Sequence, residues 1–230
     1  MIDLKDVNKI FNQDQENEFS AIKNLSLFIE EKKITVLRGP SGSGKTTLLS
    51  LIGCMARPTS GRIFLREREI TSLPERFLSE IRRSTFGFVF QNFNLINGIT
   101  VLENIMIPAY PTGEKAGSLK KKAISILDSL RISTKAQQRV ERLSGGEQQR
   151  TAIARALIND PSVIIADEPT AHLDTELAQE FMEIMSLFQK EGKTIIISSH
   201  DPLVFEAKIV NRIISLRDGR VIQENRTGHA

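Results

Sequence analysis

Gly39-Pro40-Ser41-Gly42-Ser43-Gly44-Lys45-Thr46 lies between the short apolar run Ile34-Thr35-Val36-Leu37 and a helical stretch over residues 46–52 that Gly53 ends. Strand, glycine-rich loop, helix is the context in which such a loop holds phosphate. Glycines let the backbone turn tightly with its N–H groups aimed inward, so that amide donors replace the water shell of a polyphosphate. The helix N-terminus behind the loop adds roughly half a positive charge. Lys45 supplies a point charge for the terminal phosphates, and Thr46, in the first helical turn, is placed to offer its hydroxyl to Mg²⁺. The competing reading is a glycine-rich turn that binds nothing; the filled motif and its correct flanks speak against it.

Working outward, 230 residues suit one large α/β domain or one domain carrying an insertion. A net charge of +3, from 31 basic and 28 acidic residues, describes an ordinary solvated exterior, compatible with an acidic membrane surface. The single cysteine, Cys54, excludes a disulfide within the chain, fits a reducing compartment, and reads as a small buried thiol. The longest apolar runs are strand-sized and the N-terminus carries no signal-peptide core, so the expectation is a chain that neither spans a membrane nor is exported by that route.

Along the chain, residues 22–29 read as an edge strand, Pro58-Thr59-Ser60-Gly61 as a turn, 62–65 as a strand, 74–83 as a helix and 85–90 as a buried strand ended by Gln91. From 92 to 158 the pattern turns helical. Thr100 and Glu103 have capping-box spacing, and Ala123, Ile126, Leu127 and Leu130 share one helical face. Pro108, Pro111, Gly113 and Gly117 interrupt that region. After Asp160-Pro161 the alternation resumes: strand 163–166, a helix over 175–190 with Leu177, Phe181, Ile184 and Phe188 as its core stripe, and strand 194–198. Asp218-Gly219 marks a hairpin between 212–216 and 220–222. The expected fold class is α/β: one domain over 1–230, with a mostly parallel core sheet from 1–91 and 159–230 and a helical insertion over 92–158.

In Val163-Ile164-Ile165-Ala166-Asp167-Glu168 an apolar strand delivers two adjacent carboxylates to its C-terminal end, the edge at which α/β sheets bind ligands. Successive strand residues point opposite ways, so the two acids do different jobs. Asp167 is the natural partner for Mg²⁺ through its hydration shell, and Glu168 is left to orient or deprotonate an attacking water. A helix N-cap or a surface pair is the alternative. His200 follows the strand over 194–198 and precedes Asp201-Pro202; alone it would read as structural, and Gln91 alone as a polar residue at a strand exit.

Order gives both residues weight. The phosphate loop, Gln91, Leu143-Ser144-Gly145-Gly146-Glu147-Gln148-Gln149-Arg150, the acidic pair, Thr170-Ala171-His172-Leu173-Asp174 and His200 succeed one another along the chain. This succession resembles, motif for motif, the nucleotide-binding subunit of ATP-binding cassette (ABC) transporters, over about residues 1–222. The resemblance implies a P-loop ATPase fold with an N-terminal antiparallel β subdomain, and ATP and Mg²⁺ as cofactors. It assigns phosphate contacts to Gly39, Pro40, Ser41, Gly42, Ser43, Gly44, Lys45, Thr46 and Thr47, and metal contacts to Thr46, Gln91 and Asp167. Glu168, His200, Lys45 and Gln91 become the catalytic set, with His200 on the γ-phosphate and Gln91 sensing metal and water. Phe11 falls where the family stacks an aromatic, usually Tyr, on adenine.

Ser144 and Glu147 also have capping-box spacing, so Ser144 is expected to cap the helix running through Ala152, Ile153, Ala156 and Leu157, with Gly145 and Gly146 leaving its N-terminus sterically open as an anion site. By resemblance, that end engages the γ-phosphate of ATP held by another copy, giving a head-to-tail homodimer around two ATP molecules with Asp174 at its seam. A paralogous second cassette remains an alternative. The partner implied is a separate integral membrane permease, with the chain peripheral on the cytoplasmic face of the inner (plasma) membrane, and the activity implied is ATP hydrolysis. Strings such as Leu51-Ile52-Gly53-Cys54-Met55 and Phe86-Gly87-Phe88-Val89-Phe90-Gln91 resemble the subgroup serving macrolide export, lipoprotein release and related envelope machines. A cell-division ATPase driving peptidoglycan hydrolases is a close variant. A soluble ABC ATPase acting on DNA or ribosomes is the different class, but the chain has no sustained heptads and no basic stripe interleaved with aromatics, so no nucleic-acid partner is expected. Two departures stand out: His172 where small residues are common, and Arg38 just before the first loop glycine.

Overall fold

The computed structural model describes residues 1–171 and 173–227; His172, the unusual residue of the seam segment, lies outside the described residues. In chain order the elements are β1 (Ile2–Phe11), β2 (Phe19–Ile29), β3 (Ile34–Arg38), α1 (Lys45–Ile52), β4 (Ser60–Leu65), β5 (Arg68–Glu69), α2 (Glu75–Thr85) and β6 (Phe86–Val89). There follow α3 (Val101–Met106), α4 (Ala116–Ser129), α5 (Gly145–Leu157), β7 (Val163–Asp167), α6 (Thr175–Lys190), β8 (Thr194–Ser199), α7 (Pro202–Phe205), β9 (Arg212–Arg217) and β10 (Arg220–Arg226). Short 3-10 turns connect α3 to α4 and α4 to α5.

Two sheets result. The first has four strands in the order β2-β1-β4-β5, all pairs antiparallel. The second has six in the order β10-β9-β3-β8-β7-β6; β9 through β6 run parallel and β10 closes the edge antiparallel to β9. Strands β3, β7 and β8 are buried along nearly their whole length, which is why they read as continuous apolar runs and not as alternating ones. Their residues still sort by parity. Ile164, Ala166, Ile195 and Ile197 join the apolar cluster that contains α3, α4, α5 and α6. Val163, Ile165 and Ile196 face the other cluster, with α1 and the inward residues of the antiparallel sheet such as Ile2, Leu4 and Ile22. The helical stretch is thus packed on the same core as the parallel sheet.

Several boundaries differ from the sequence reading. β2 begins at Phe19, pairing with Phe11 at the far end of β1, and β6 is shorter because α2 runs on through Thr85. The stripe of α6 is rotated: Phe181 and Phe188 are buried, but Leu177 and Ile184 are only half-buried while Ala178, Met182 and Met185 are covered. Leu177 instead lies against the N-terminus of α5, a neighbour far away in sequence. Cys54 is buried as expected, and burial pushes its thiol up to about 11, well away from a reactive thiolate. Among the described residues, no helix is long and apolar enough to cross a membrane.

The seat of α5 on the sheet depends on Gly87. A Cβ there would meet the Ala156 carbonyl oxygen at 2.4 Å and Pro161 Cγ at 2.9 Å. Gly87→Ala should therefore destabilise the protein by about 1–3 kcal/mol, lowering the midpoint of thermal unfolding by roughly 2–4 °C per kcal/mol for a chain of this size. An unchanged melting curve would mean that α5 and β6 are free to separate.

Candidate active site

The loop over residues 39–44 joins the C-terminal end of β3 to α1, and its glycines meet two separate demands. Gly42 and Gly44 have φ of 78° and 100°, in the left-handed region that side chains disfavour. A Cβ on Gly44 would also come within 2.7 Å of the Ala21 carbonyl, and one on Gly39 within 2.4 Å of the Leu216 carbonyl. Gly44 is the N-cap of α1, which has no side-chain cap and no acid in its first turn. The first-turn N–H groups of a helix have no intrahelical acceptors. The Ser43 hydroxyl is buried without a hydrogen-bond partner among the described residues. Uncapped amides, an orphaned hydroxyl and a cation behind them fit a polyphosphate.

That cation is Lys45, buried at 6% exposure. Its Nζ donates to the carbonyls of Gly39 (2.7 Å) and Pro40 (3.1 Å) and lies 3.1 Å from Glu168 Oε1. Glu168 follows the last residue of β7 and is itself only 8% exposed. Its φ of 44° corrects the simple alternation argument: a left-handed turn just past the strand, and not the pleat alone, aims its side chain away from that of Asp167. Glu168 Oε2 is 3.0 Å from His200 Nδ1, and the His200 side chain is 67% exposed. Asp167 Oδ1 accepts a hydrogen bond from Ser198 Oγ at 2.5 Å.

A cavity of about 290 Å³ has residues 40–43, Lys45 and Thr46 on one side and Gln91, Glu168 and His200 on the other. The structure thus brings together the phosphate loop and all four candidate catalytic side chains. Asp167 lies outside the lining, at the end of β7 against β8. Thr47 is half-buried on α1. Phe11, 42% exposed at the end of β1, is also outside the lining, with the Lys9 ammonium 4.9 Å above its ring.

Ser144, Gly145, Gly146 and Glu147 form a different place, the N-terminus of α5. The capping box is present: Glu147 N–H donates to Ser144 Oγ (3.3 Å) and Ser144 N–H to Glu147 Oε2 (2.9 Å). That backbone donor is the main cause holding the Glu147 carboxyl below its ordinary range. Its contribution to stability is therefore present above the unfolded carboxylate pKa and is lost as pH falls through the lowered folded value. Gly145 is open, its nearest neighbour being Leu173 at 3.8 Å from a Cβ. Gly146 is more closely packed: a Cβ there would meet Leu177 Cδ2 at 2.7 Å, so this glycine lets α5 pack closely on α6. Asp174 is the N-cap of α6, accepting from Leu177 N–H at 2.9 Å. Arg38 stacks its guanidinium 4.1 Å from the centroid of Phe205.

Ser198 is a site residue that the sequence reading passed over; a buried hydroxyl at the end of an apolar strand was the available signal.

A model of the ABC transporter family matches residues 22–171. The chain is 40% identical over 231 residues to the uncharacterized ABC transporter ATP-binding protein MJ0796 of Methanocaldococcus jannaschii, covering 98% of this chain and 97% of that protein. It is 39% identical over 225 residues to the macrolide export ATP-binding/permease protein MacB of Hyphomonas neptunium, covering 98% of this chain but 34% of that protein. The chain thus spans about a third of the length of that relative. Among solved structures, a dimeric post-hydrolysis state of the cassette MJ0796 bound to ADP and Pi superposes with a TM-score of 0.90 at 37% identity over the whole of both chains.

Substitutions should separate the two roles in the cavity. Lys45→Ala should weaken ATP binding by about tenfold or more, as expected for loss of a charge-assisted contact. Glu168→Gln should keep ATP binding but cut phosphate release by at least about a hundredfold. Equal turnover in wild type and Glu168→Gln would remove Glu168 from the chemistry.

Proposed function

The chain belongs to the ABC transporter family as an ATP-hydrolysing cassette, and we propose that it dimerises head to tail around two Mg-ATP and drives a separate membrane permease. The observation that carries this reading is the convergence of Lys45, Glu168 and His200 on the phosphate loop while the second anion-seeking helix end, at Ser144 and Gly145, lies outside that cavity. A second copy turned head to tail would supply the missing end.

Within one site the loop amides and Lys45 hold the phosphates, Glu168 orients the attacking water or takes its proton, and His200 steadies the terminal phosphate. Thr46, Asp167 and Gln91 would hold Mg²⁺, which when bound neutralises charge on the phosphate oxygens. Phe11 would stack on the adenine and Asp174 would sit at the seam.

Coupling to the permease runs through Gln91. It directly follows Phe90, and Phe88 and Phe90, stacked with centroids 5.9 Å apart, line a groove of about 440 Å³ between β6 and the helical segment. Met55, Pro108 and Pro111 complete its apolar wall, and Arg82, Arg83 and Arg155 rim it. Arg82 is paired with Glu75, and Arg155 donates to the carbonyls of Phe93 and Asn94. Arg83 has no hydrogen-bonding or ionic partner among the described residues. An apolar helix with an acidic residue, contributed by the permease, suits this groove. The chain is then peripheral on the cytoplasmic face of the membrane, and the likeness to MacB favours export or extraction of cargo.

Glu168→Gln protein should sediment as a dimer with ATP and Mg²⁺ and as a monomer without nucleotide. Membranes extracted from the native cell under the same conditions should yield a permease bound to that variant, and adding Arg83→Glu should reduce its recovery. Recovery of only soluble protein or nucleic acid would overturn the membrane assignment and leave the ATPase chemistry intact.

A further inference from the structure

We propose that Ser198 is a positioning residue for both carboxylates of the site, setting the placement of Asp167 and the backbone turn that aims Glu168. The hydroxyl is fully buried. A serine hydroxyl has one proton to give and two lone pairs to offer. Here the proton goes to Asp167 Oδ1 at 2.5 Å, and the Glu168 N–H donates to Ser198 Oγ at 2.9 Å. That N–H also approaches the Ser198 carbonyl, at 3.1 Å. One side chain on β8 therefore ties together two consecutive residues at the end of β7, where Asp167 and Ser198 are register partners.

Both ties matter physically. Among the described residues, Ser198 contributes the one side-chain hydrogen bond to Asp167. Without it the carboxylate can rotate, and a metal-facing oxygen is no longer held in one direction. Glu168 sits at a φ of 44°, a conformation that persists in an ordinary residue only where surrounding bonds hold it. The Ser198 hydroxyl is one of those bonds. Alanine at 198 fits the same space and removes the hydroxyl alone.

The inference rests on the reading of Asp167 as the magnesium-facing acid and Glu168 as the water-facing one, and the test separates the two. Mg²⁺ is titrated calorimetrically into ATP-loaded Glu168→Gln protein, with and without Ser198→Ala, so that no turnover intervenes. Mg²⁺ affinity should fall about tenfold, the worth of one charge-assisted hydrogen bond. ATP affinity measured in EDTA should stay close to the parent value, and the melting temperature should fall by only a few degrees, as expected for the loss of one buried hydroxyl. In protein with Glu168 intact, Ser198→Ala should lower kcat while KM for ATP at saturating Mg²⁺ is unchanged. Unaltered Mg²⁺ affinity and kcat would overturn the proposal, as would a parallel loss of metal-free ATP binding, which would make Ser198 merely structural. If Asp167→Asn kept full Mg²⁺ affinity, the underlying reading would fall instead.

Discussion

Register among three buried parallel strands is the constraint on which the site depends. Leu37 of β3 pairs with Ser198 of β8, and Ser198 pairs with Asp167 of β7, so the three strands finish within one residue of the same level. One step beyond that row lie Arg38, leading to Gly39 and the phosphate loop, Ser199, leading to His200, and Glu168. A slip of one residue between β7 and β8 would carry Ile164 and Ala166 to the wrong face and separate Ser198 from both acids. The apolar burial that fixes the register therefore also fixes the chemistry: two clusters, one on each face, admit only one parity for each strand.

A second linkage joins this edge to the N-terminus of α5. The Gln149 side chain, buried in α5, donates to the carbonyl of Pro169, the residue after Glu168, at 2.9 Å. Arg150 pairs with Glu180 on α6 at 2.5 Å, and Gly146 lets Leu177 close the gap between the two helices. The end of α5, the cap of α6 and the segment leaving Glu168 are thus one packed unit. In the dimer proposed above, displacement of α5 by a neighbouring phosphate would be felt at the backbone beside Glu168.

What could be read from the sequence follows from how local each cause is. The phosphate loop, both capping boxes and the buried strands β3, β7 and β8 are set by spacing within a few residues, and each stands within a residue of where it is expected. The stripe expected on α6 holds at Phe181 and Phe188, with Ile184 half-buried against the same core, while Leu177 meets the N-terminus of α5 at Gly146, thirty-one positions earlier in the chain, a contact that the helical period does not reveal. The contact of Gly146 with Leu177 is hidden for the same reason. Ser198 offers only a hydroxyl at the end of an apolar strand, and the left-handed turn at Glu168 offers no local signal at all, since the role of each comes from the pairing between β7 and β8.

The two helix ends that would face phosphate in the proposed dimer differ in charge. α1 presents a bare end, with no cap and no acid in its first turn, and a buried lysine as its first residue. α5 presents an end already occupied by its own Glu147, whose charge is in turn partly countered by Lys135 at 3.1 Å. A carboxylate in the first turn offsets much of the positive end of a helix. In the proposed dimer, ATP held by α1 and Lys45 would therefore be gripped strongly within one copy, while a contact from α5 of the other copy would add a weaker attraction that depends on the full charge of the terminal phosphate. Once that phosphate is cleaved the weaker contact would have least to hold. The asymmetry suits a dimer that closes on ATP and reopens after hydrolysis without surrendering nucleotide from the stronger end first.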